Sequence, residues 1–193
     1  MPLDASQDQS DDALLAAYAE GDLRAARVLT LRLTPRVLAF ATRVLRDAAE
    51  AEDVTQESLL RLWRMAPQWT PGKAKVTTWV FRVAANLCTD RLRRSGRSVN
   101  LDAVEEPVDE AKGAEAALID GDRADALRAA LQTLPERQRQ AVVLRHLEGL
   151  SNPEIAEVMD IGTEAVESLT ARAKRSLAAK LAGRREELGY DDA

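Results

Sequence analysis

The stretch VTTWVFRVAANLCTDRLRRSGRS (76–98) holds the residues best suited to chemistry with a partner. On a helix, with Arg82 as origin, Arg93 falls at about 20°, Asn86 at about 40°, Trp79 and Arg97 at about 60° and Asp90 at about 80°. The position of Arg97 requires the helix to continue past Gly96. An aromatic ring among cations and an amide suits single-stranded or melted nucleic acid. Bases stack on the indole, Asn meets base edges and Arg holds phosphates. Trp79 also fits as a core anchor at the edge of the apolar stripe formed by Val76, Val80, Val83, Ala84 and Leu87, and both readings stay open. Asp90 is within helical pairing reach of Arg93 and Arg94. Phe81 and Cys88 lie beyond the stripe and read as core, and no neighbour in sequence lowers the Cys88 thiol pKa.

A second constellation is SNPEIAEVMDIGTEAVESLTARAKRSL (151–177), which has the form of a helix-turn-helix. Ser151 is placed to cap, and Glu154 three residues later completes a capping box. Ile155, Ala156 and Met159 form the inward face, Gly162 supplies a tight turn, and Thr163 is placed to cap the second helix. Val166, Leu169, Thr170, Ala173, Leu177 and Leu181 share one face of that helix. Glu164, Glu167, Ser168, Ala171 and Arg175 point the other way, with Arg172 at the edge. Such a face fits the major groove, where the N-terminal side chains of a recognition helix meet base edges. Arg172, Lys174, Arg175 and Lys180 are available for phosphates. An ordinary helical hairpin with a polar outer face would look similar. A third stretch, AEDVTQESLLRLWR, gathers Asp53, Gln56 and Glu57 on one polar side. These residues either favour the helix macrodipole or form a docking patch for a basic partner helix.

The elements that must position these residues read as helices throughout. The chain has 193 residues, 46% hydrophobic and only 4% aromatic. Its apolar content is mostly Ala, Leu and Val, which favours an all-α fold. One cysteine excludes an internal disulfide framework, and one histidine (His146) argues against histidine-based zinc sites. No nucleophile–base pair, phosphate loop or metal cluster stands out, so no catalytic residue, metal or cofactor is expected. The longest apolar run, Ala13 to Ala19, is too short to span a bilayer. The first twelve residues carry four acids and no base, unlike a signal peptide, so a cytoplasmic setting is expected.

Capping residues and punctuation predict helices from Asp11 to Gly21, from Asp22 to Leu33, and from Thr34-Pro35 to about Arg46. A single helix kinked at Pro35 is an equal alternative to the last two. Further helices are predicted from Asp47 to about Met65 and from Lys75 to Arg94, the latter ending near Ser95-Gly96. Residues 98–122 read as an acidic linker with transient helix around Ala114 to Ile119. Arg123 to Leu134, Pro135 to Leu147, Ser151 to Met159 and Thr163 to Leu181 follow. The organisation is therefore two small helical domains, 11–97 and 123–182, with a disordered N-terminus (1–10), a linker (98–122) and a charged tail (183–193).

The net charge of −5 taken whole argues against a nucleic-acid partner. Its distribution reverses that inference. The two termini and the linker are strongly acidic, whereas residues 61–97 hold nine bases against one acid, and residues 172–185 hold six bases and no acid. Two basic runs, one in each helical block, suit DNA contacts.

Taken together, AEAEDVTQESLLRLWR (49–64), KVTTWVFRVAANLCTDRLRR (75–94) and LPERQRQAVVLRHLEGLSNPEIAEVMDIGTEAVESLTARAKRSL (134–177) resemble the extracytoplasmic-function group of bacterial sigma factors, which keep only regions two and four. The resemblance implies an alternative sigma factor that brings core RNA polymerase to specific promoters, helps to open them, and serves a stress or environmental response. It implies docking of region two on the clamp coiled coil of the largest catalytic subunit through Asp53, Gln56, Glu57 and Leu60. Recognition and melting of the minus-ten element would fall to Trp79, Arg82, Asn86, Asp90, Arg93, Arg94 and the loop beginning Ser95, Gly96, Arg97. Minus-thirty-five recognition would fall to Glu164, Glu167, Ser168, Ala171, Arg172 and Arg175. Region four would also contact the flexible flap of the second catalytic subunit, the linker would thread toward the RNA exit channel, and an anti-sigma factor is an expected partner. One departure stands out. Many relatives carry bases near the start of the recognition helix, where this chain has Val166-Glu167-Ser168-Leu169, so its upstream element is expected to differ. Two other classes fit the residues alone: a helix-turn-helix regulator that binds duplex DNA without polymerase, and a helical adaptor.

Overall fold

The computed structural model describes residues 9–70, 72, 74–98 and 115–182, without the side chains of 96–98 and 115–123. The expectations for residues 1–8, for the linker over 99–114 and for the tail over 183–193 lie outside the described residues. Among those described, every regular element is helical: α1 (Asp11–Ala19), α2 (Leu23–Val44), α3 (Ala48–Met65), a 3-10 turn (Ala66–Gln68), α4 (Val76–Ser98), α5 (Glu115–Gln132), α6 (Glu136–His146), α7 (Asn152–Met159) and α8 (Thr163–Ala182).

The N-terminal starts follow from side-chain caps. Ser10 Oγ accepts from the Ala13 amide at 3.2 Å, Asp22 from Arg24 at 2.8 Å and Asp47 from Glu50 at 3.0 Å. The ambiguity at Pro35 resolves as one continuous helix. A proline inside a helix costs about 3 kcal/mol or more. Leu29, Leu33, Val37, Phe40 and Val44 form one fully buried stripe that runs straight past it. Burial of five such side chains, at about 1.5–3 kcal/mol each, outweighs that cost.

Four boundaries differ from the sequence expectation. Helix α4 continues to Ser98 rather than stopping near Gly96, so residues 95–98 are helical and not a loop. Helix α5 begins at Glu115, inside the segment read as linker, because a high Ala content needs no apolar stripe to favour helix. Thr163 lies inside α8 rather than capping it: the Val166 amide already donates to the Gly162 carbonyl at 3.2 Å. The left-handed residue of the helix-turn-helix is Asp160 (φ 52°), not Gly162. Asp tolerates that conformation better than most non-glycine residues.

The two halves of the sequence share one core. Buried side chains from α1 to α4 and from α5 to α8 form a contiguous cluster, with α7 packed on α4 and with α5 and α6 packed on α2. At its centre Phe40 and Phe81 meet edge to face, 5.6 Å between ring centroids.

Candidate nucleic-acid interface

Helix α4 is gripped from two sides. Val76, Val80 and Ala84 are buried, as the stripe required, and so are Thr78, Phe81, Ala85 and Cys88. That leaves a narrow outer strip on which Arg82, Asn86, Asp90, Arg93, Arg94 and Ser95 are exposed. Trp79 is half-buried and packs against the core at the strip's edge, so its ring serves as an anchor while part of it stays open. Asp90 forms no ion pair with Arg93 or Arg94. The neighbouring Arg91 instead turns inward to Glu50 and lies 3.8 Å from Asp53. Ser95 Oγ donates back to the Leu92 carbonyl at 3.1 Å. Gly96 lies in the last turn of α4, and the side chain of Arg97 is outside the described residues. Burial pushes the Cys88 thiol up to about 12, as a core cysteine requires.

On α3, Asp53 and Gln56 are exposed, Glu57 is half-exposed, and Leu60 is 47% exposed. They share one open face of α3. With Arg61 of α3 and with Leu87, Asp90, Arg91 and Arg94 of α4 they line one groove of about 420 Å³. Arg61 Nε donates to Glu57 at 2.7 Å and holds its carboxyl below the ordinary range. Residues assigned by sequence to two separate contacts therefore form the two walls of a single cleft. The inward turn of α3 places Thr55 and Ser58 in the core. Their hydroxyls donate to the Ala51 and Val54 carbonyls, which removes the cost of burying them.

In the helix-turn-helix, the Glu154 carboxylate accepts from the Ser151 amide at 2.8 Å and hydroxyl at 2.6 Å. Ile155 and Val158 are buried, with Ala156 and Met159 half-buried. Val166 and Ala173 anchor α8, while Leu169, Thr170, Leu177 and Leu181 are half-buried. Glu164, Glu167, Ser168, Ala171, Arg172 and Arg175 are all exposed. Glu167 accepts from Asn152 Nδ2 at 3.3 Å, which ties the start of α8 to the start of α7.

Sequence reasoning missed the polar seam between the halves. Glu148, whose side chain is 5% exposed, lies 3.4 Å from Arg36 and 3.5 Å from Arg43. Burial pushes its carboxyl up, against the pull of both guanidinium groups. Arg36 also donates to the Glu148 carbonyl at 3.0 Å and stands over the Phe81 ring. Arg139, 7% exposed, donates to the Val44 carbonyl at 2.6 Å and to Leu134 at 3.0 Å. Gln132 donates to the Arg43 and Leu45 carbonyls, so the C-terminus of α2 is capped by the other half of the chain. Thr89 on α4 donates to Glu136, and Gln140 donates to both. The only sequence signal for this seam was an excess of polar residues, such as Arg139 and Gln140, where α6 should be core.

Comparison with known proteins agrees with this layout. The model for Sigma-70 region 2 matches residues 29–98, and that for Sigma-70, region 4 matches residues 124–177. The RNA polymerase sigma-H factor of Pseudomonas aeruginosa is 30% identical over 179 residues, 88% of this chain and 92% of that protein. The ECF RNA polymerase sigma-E factor of Escherichia coli K12 is 29% identical, over 89% of this chain and 94% of its own length. In fold, the chain is similar to CnrH in its complex with the cytosolic domain of CnrY (TM-score 0.68, 24% identity, 91% and 99% of the two chains). It is also similar to the sigma factor RpoE of Bartonella quintana in its complex with the anti-sigma factor NepR (TM-score 0.66, 23% identity, 79% and 93%).

A region-2 bundle followed by a region-4 helix-turn-helix defines a promoter-specificity subunit of bacterial RNA polymerase. The chain belongs to the extracytoplasmic-function group of the sigma-70 family. It binds RNA polymerase and promoter DNA and directs the enzyme to specific promoters for initiation. Among the described residues no helix is long and apolar enough to cross a membrane.

Proposed function

We propose that the exposed strip of α4 recognises the minus-ten element and holds it as a melted strand. Trp79 stacks on a base, Asn86 and Asp90 meet base edges, and Arg82, Arg93, Arg94 and Arg97 hold phosphates, with Ser95 and Gly96 at the strip's end. The observation that carries this reading is a half-open indole beside an amide and the cations Arg82, Arg93 and Arg94, which have no ion partner among the described residues. Glu164, Glu167, Ser168, Ala171, Arg172 and Arg175 of α8 read the minus-thirty-five element in the major groove.

Asp53, Gln56, Glu57 and Leu60, on the α3 wall of the groove, dock the clamp coiled coil, and region four meets the flap. Residues 11–97 and 123–182 act as the two functional domains. The acidic linker over 98–122 threads toward the RNA exit channel. The chain supplies no catalytic group of its own, works in the cytoplasm, and serves a stress or environmental response. An anti-sigma factor is its regulator, a reading supported by the complexes in which CnrH and the Bartonella RpoE were solved.

Permanganate footprinting of holoenzyme tests the α4 assignment. Trp79→Ala and Asn86→Ala should each reduce minus-ten strand opening at least tenfold while leaving polymerase binding intact. Parental opening in both variants would remove the assignment.

A further inference from the structure

The start of α8 carries a carboxylate that helix stability does not explain. Two acids, Glu164 and Glu167, precede the first base of this helix, Arg172. Glu164 lies in the first turn, where a negative charge favours the helix macrodipole. Glu167 lies beyond that turn. The like charge of Glu164 stands three residues before it and Ala171 four residues after it, so helical pairing gives it no support. Glu167 is exposed and forms no ion pair among the described residues.

The hydrogen bond it does make comes from another helix. Asn152 Nδ2 donates to Glu167 Oε1 at 3.3 Å. Only the NH₂ end of an amide can face a carboxylate, so the orientation of Asn152 is settled by its partner. Asn152 is itself well placed to hold still. It is the first residue of α7, between the capping residue Ser151 and Pro153, and the Ser151–Glu154 box fixes that turn. On the other side, the buried Val166 sets the rotation of α8. A long, flexible side chain on the reading face is thereby held in one position in the free protein, which lowers the ordering cost of using it on DNA. Its second oxygen, Oε2, remains to accept from a base.

A carboxylate can only accept. In the major groove guanine presents two acceptors, thymine an acceptor and a methyl group, and adenine a donor beside the acceptor N7. Cytosine presents the N4 amino donor with no acceptor of its own beside it. Opposite any base without a free donor, the Glu167 charge would sit among phosphates and acceptors with nothing to offset it.

We propose that Glu167, positioned by Asn152, selects a cytosine at one position of the minus-thirty-five element. This rests on the assignment of α8 to that element. Glu167 is the specificity-determining group, and Asn152 is a positioning residue that acts through it without touching DNA.

Selection by holoenzyme from promoters with a randomised upstream element and a constant minus-ten element tests the proposal. The parent should prefer cytosine at one position by about five- to tenfold. Glu167→Gln should move that preference to adenine, because an amide pairs with adenine N6 and N7 together. Asn152→Ala should reduce the cytosine preference at least threefold and leave the other positions as they were. It should change nothing further in a Glu167→Ala background, which a merely structural role for Asn152 would not produce. Cytosine preference retained in Glu167→Gln overturns the proposal. So does a Glu167→Ala protein that binds every sequence more tightly by the same factor, since the charge would then act only on the phosphates. A parent with no base preference anywhere in the upstream element overturns the assignment of α8 as well, whereas a parental preference untouched by the Glu167 variants overturns this inference alone.

Discussion

Helices α4 and α8, to which we assign the two DNA contacts, lie in opposite halves of the molecule and are held in opposite ways. Helix α4 is clamped between α3 and α2 on one side and α7 on the other, so only a strip of its surface is free. Helix α8 is fully anchored only at Val166 and Ala173 and offers a broad face. The contrast suits the tasks we propose for them. A helix that must hold an unpaired strand needs a rigid rail with few, fixed contacts. A helix that enters the major groove must protrude from its domain to reach the base edges.

The sharpest way to break this comparison is through packing. Phe81→Ala removes a fully buried ring that meets Phe40 and Arg36. It should cost about 3–5 kcal/mol in urea unfolding. Leu177→Ala, on the half-buried side of α8, should cost only about 1 kcal/mol. Equal costs would mean that the two helices are held alike.

A smaller effect sharpens the functional side. Arg172→Ala should weaken discrimination of the upstream element by about 1–3 kcal/mol and relax preference at one position if it reads a base. If the guanidinium only holds phosphate, binding should fall uniformly and the salt slope should drop by about one. Competition binding of holoenzyme to mutated upstream elements, at two salt concentrations, separates the cases.

The smallest effect lies at the rim of the seam. Hydrogen bonds from Lys75 and from the Ser151 hydroxyl and amide hold the Glu154 carboxyl down at about 2, below its ordinary 4.5. A carboxyl depressed on folding contributes stability that is fully present above about pH 4.5 and is lost as pH falls toward 2. Because the contact is largely solvent-exposed, the loss should stay below about 1 kcal/mol. Thermal melts of the parent and Glu154→Gln proteins should differ at pH 7 and converge at the acid end. A difference that persists there would place the contribution in packing rather than charge.

The outward faces were readable because each depends on local spacing alone. Arg82, Asn86 and Arg93 fall together by helical arithmetic wherever the helix sits. So do Glu164, Glu167, Ser168 and Arg175 on α8. The second buried side of α4 was readable only at Phe81 and Cys88, because Thr78, Ala85 and the half-buried Thr89 are small or polar and carry no apolar signal. They are covered because α6 and α7 come to rest there. The grouping of Asp53, Gln56 and Glu57 with Asp90 and Arg94 in one groove was hidden for a similar reason: it joins helices whose relative rotation no local pattern specifies. Asp160 escaped notice because Gly162, two residues on, was the more obvious turn residue.

From sequence alone came the helical class, the cap at Asp22 and the Ser151–Glu154 pair, the division of charge, and the motifs that mark regions two and four. Each is a property of residues within a few turns of one another, where geometry follows from chain connectivity. Only tertiary structure decided that α2 runs unbroken through Pro35 and that Trp79 is half anchored. It also decided that Glu148, Arg139 and Gln132 bind the halves to each other. Those outcomes depend on long-range burial and on which buried polar groups find partners, and both are settled only when distant segments meet.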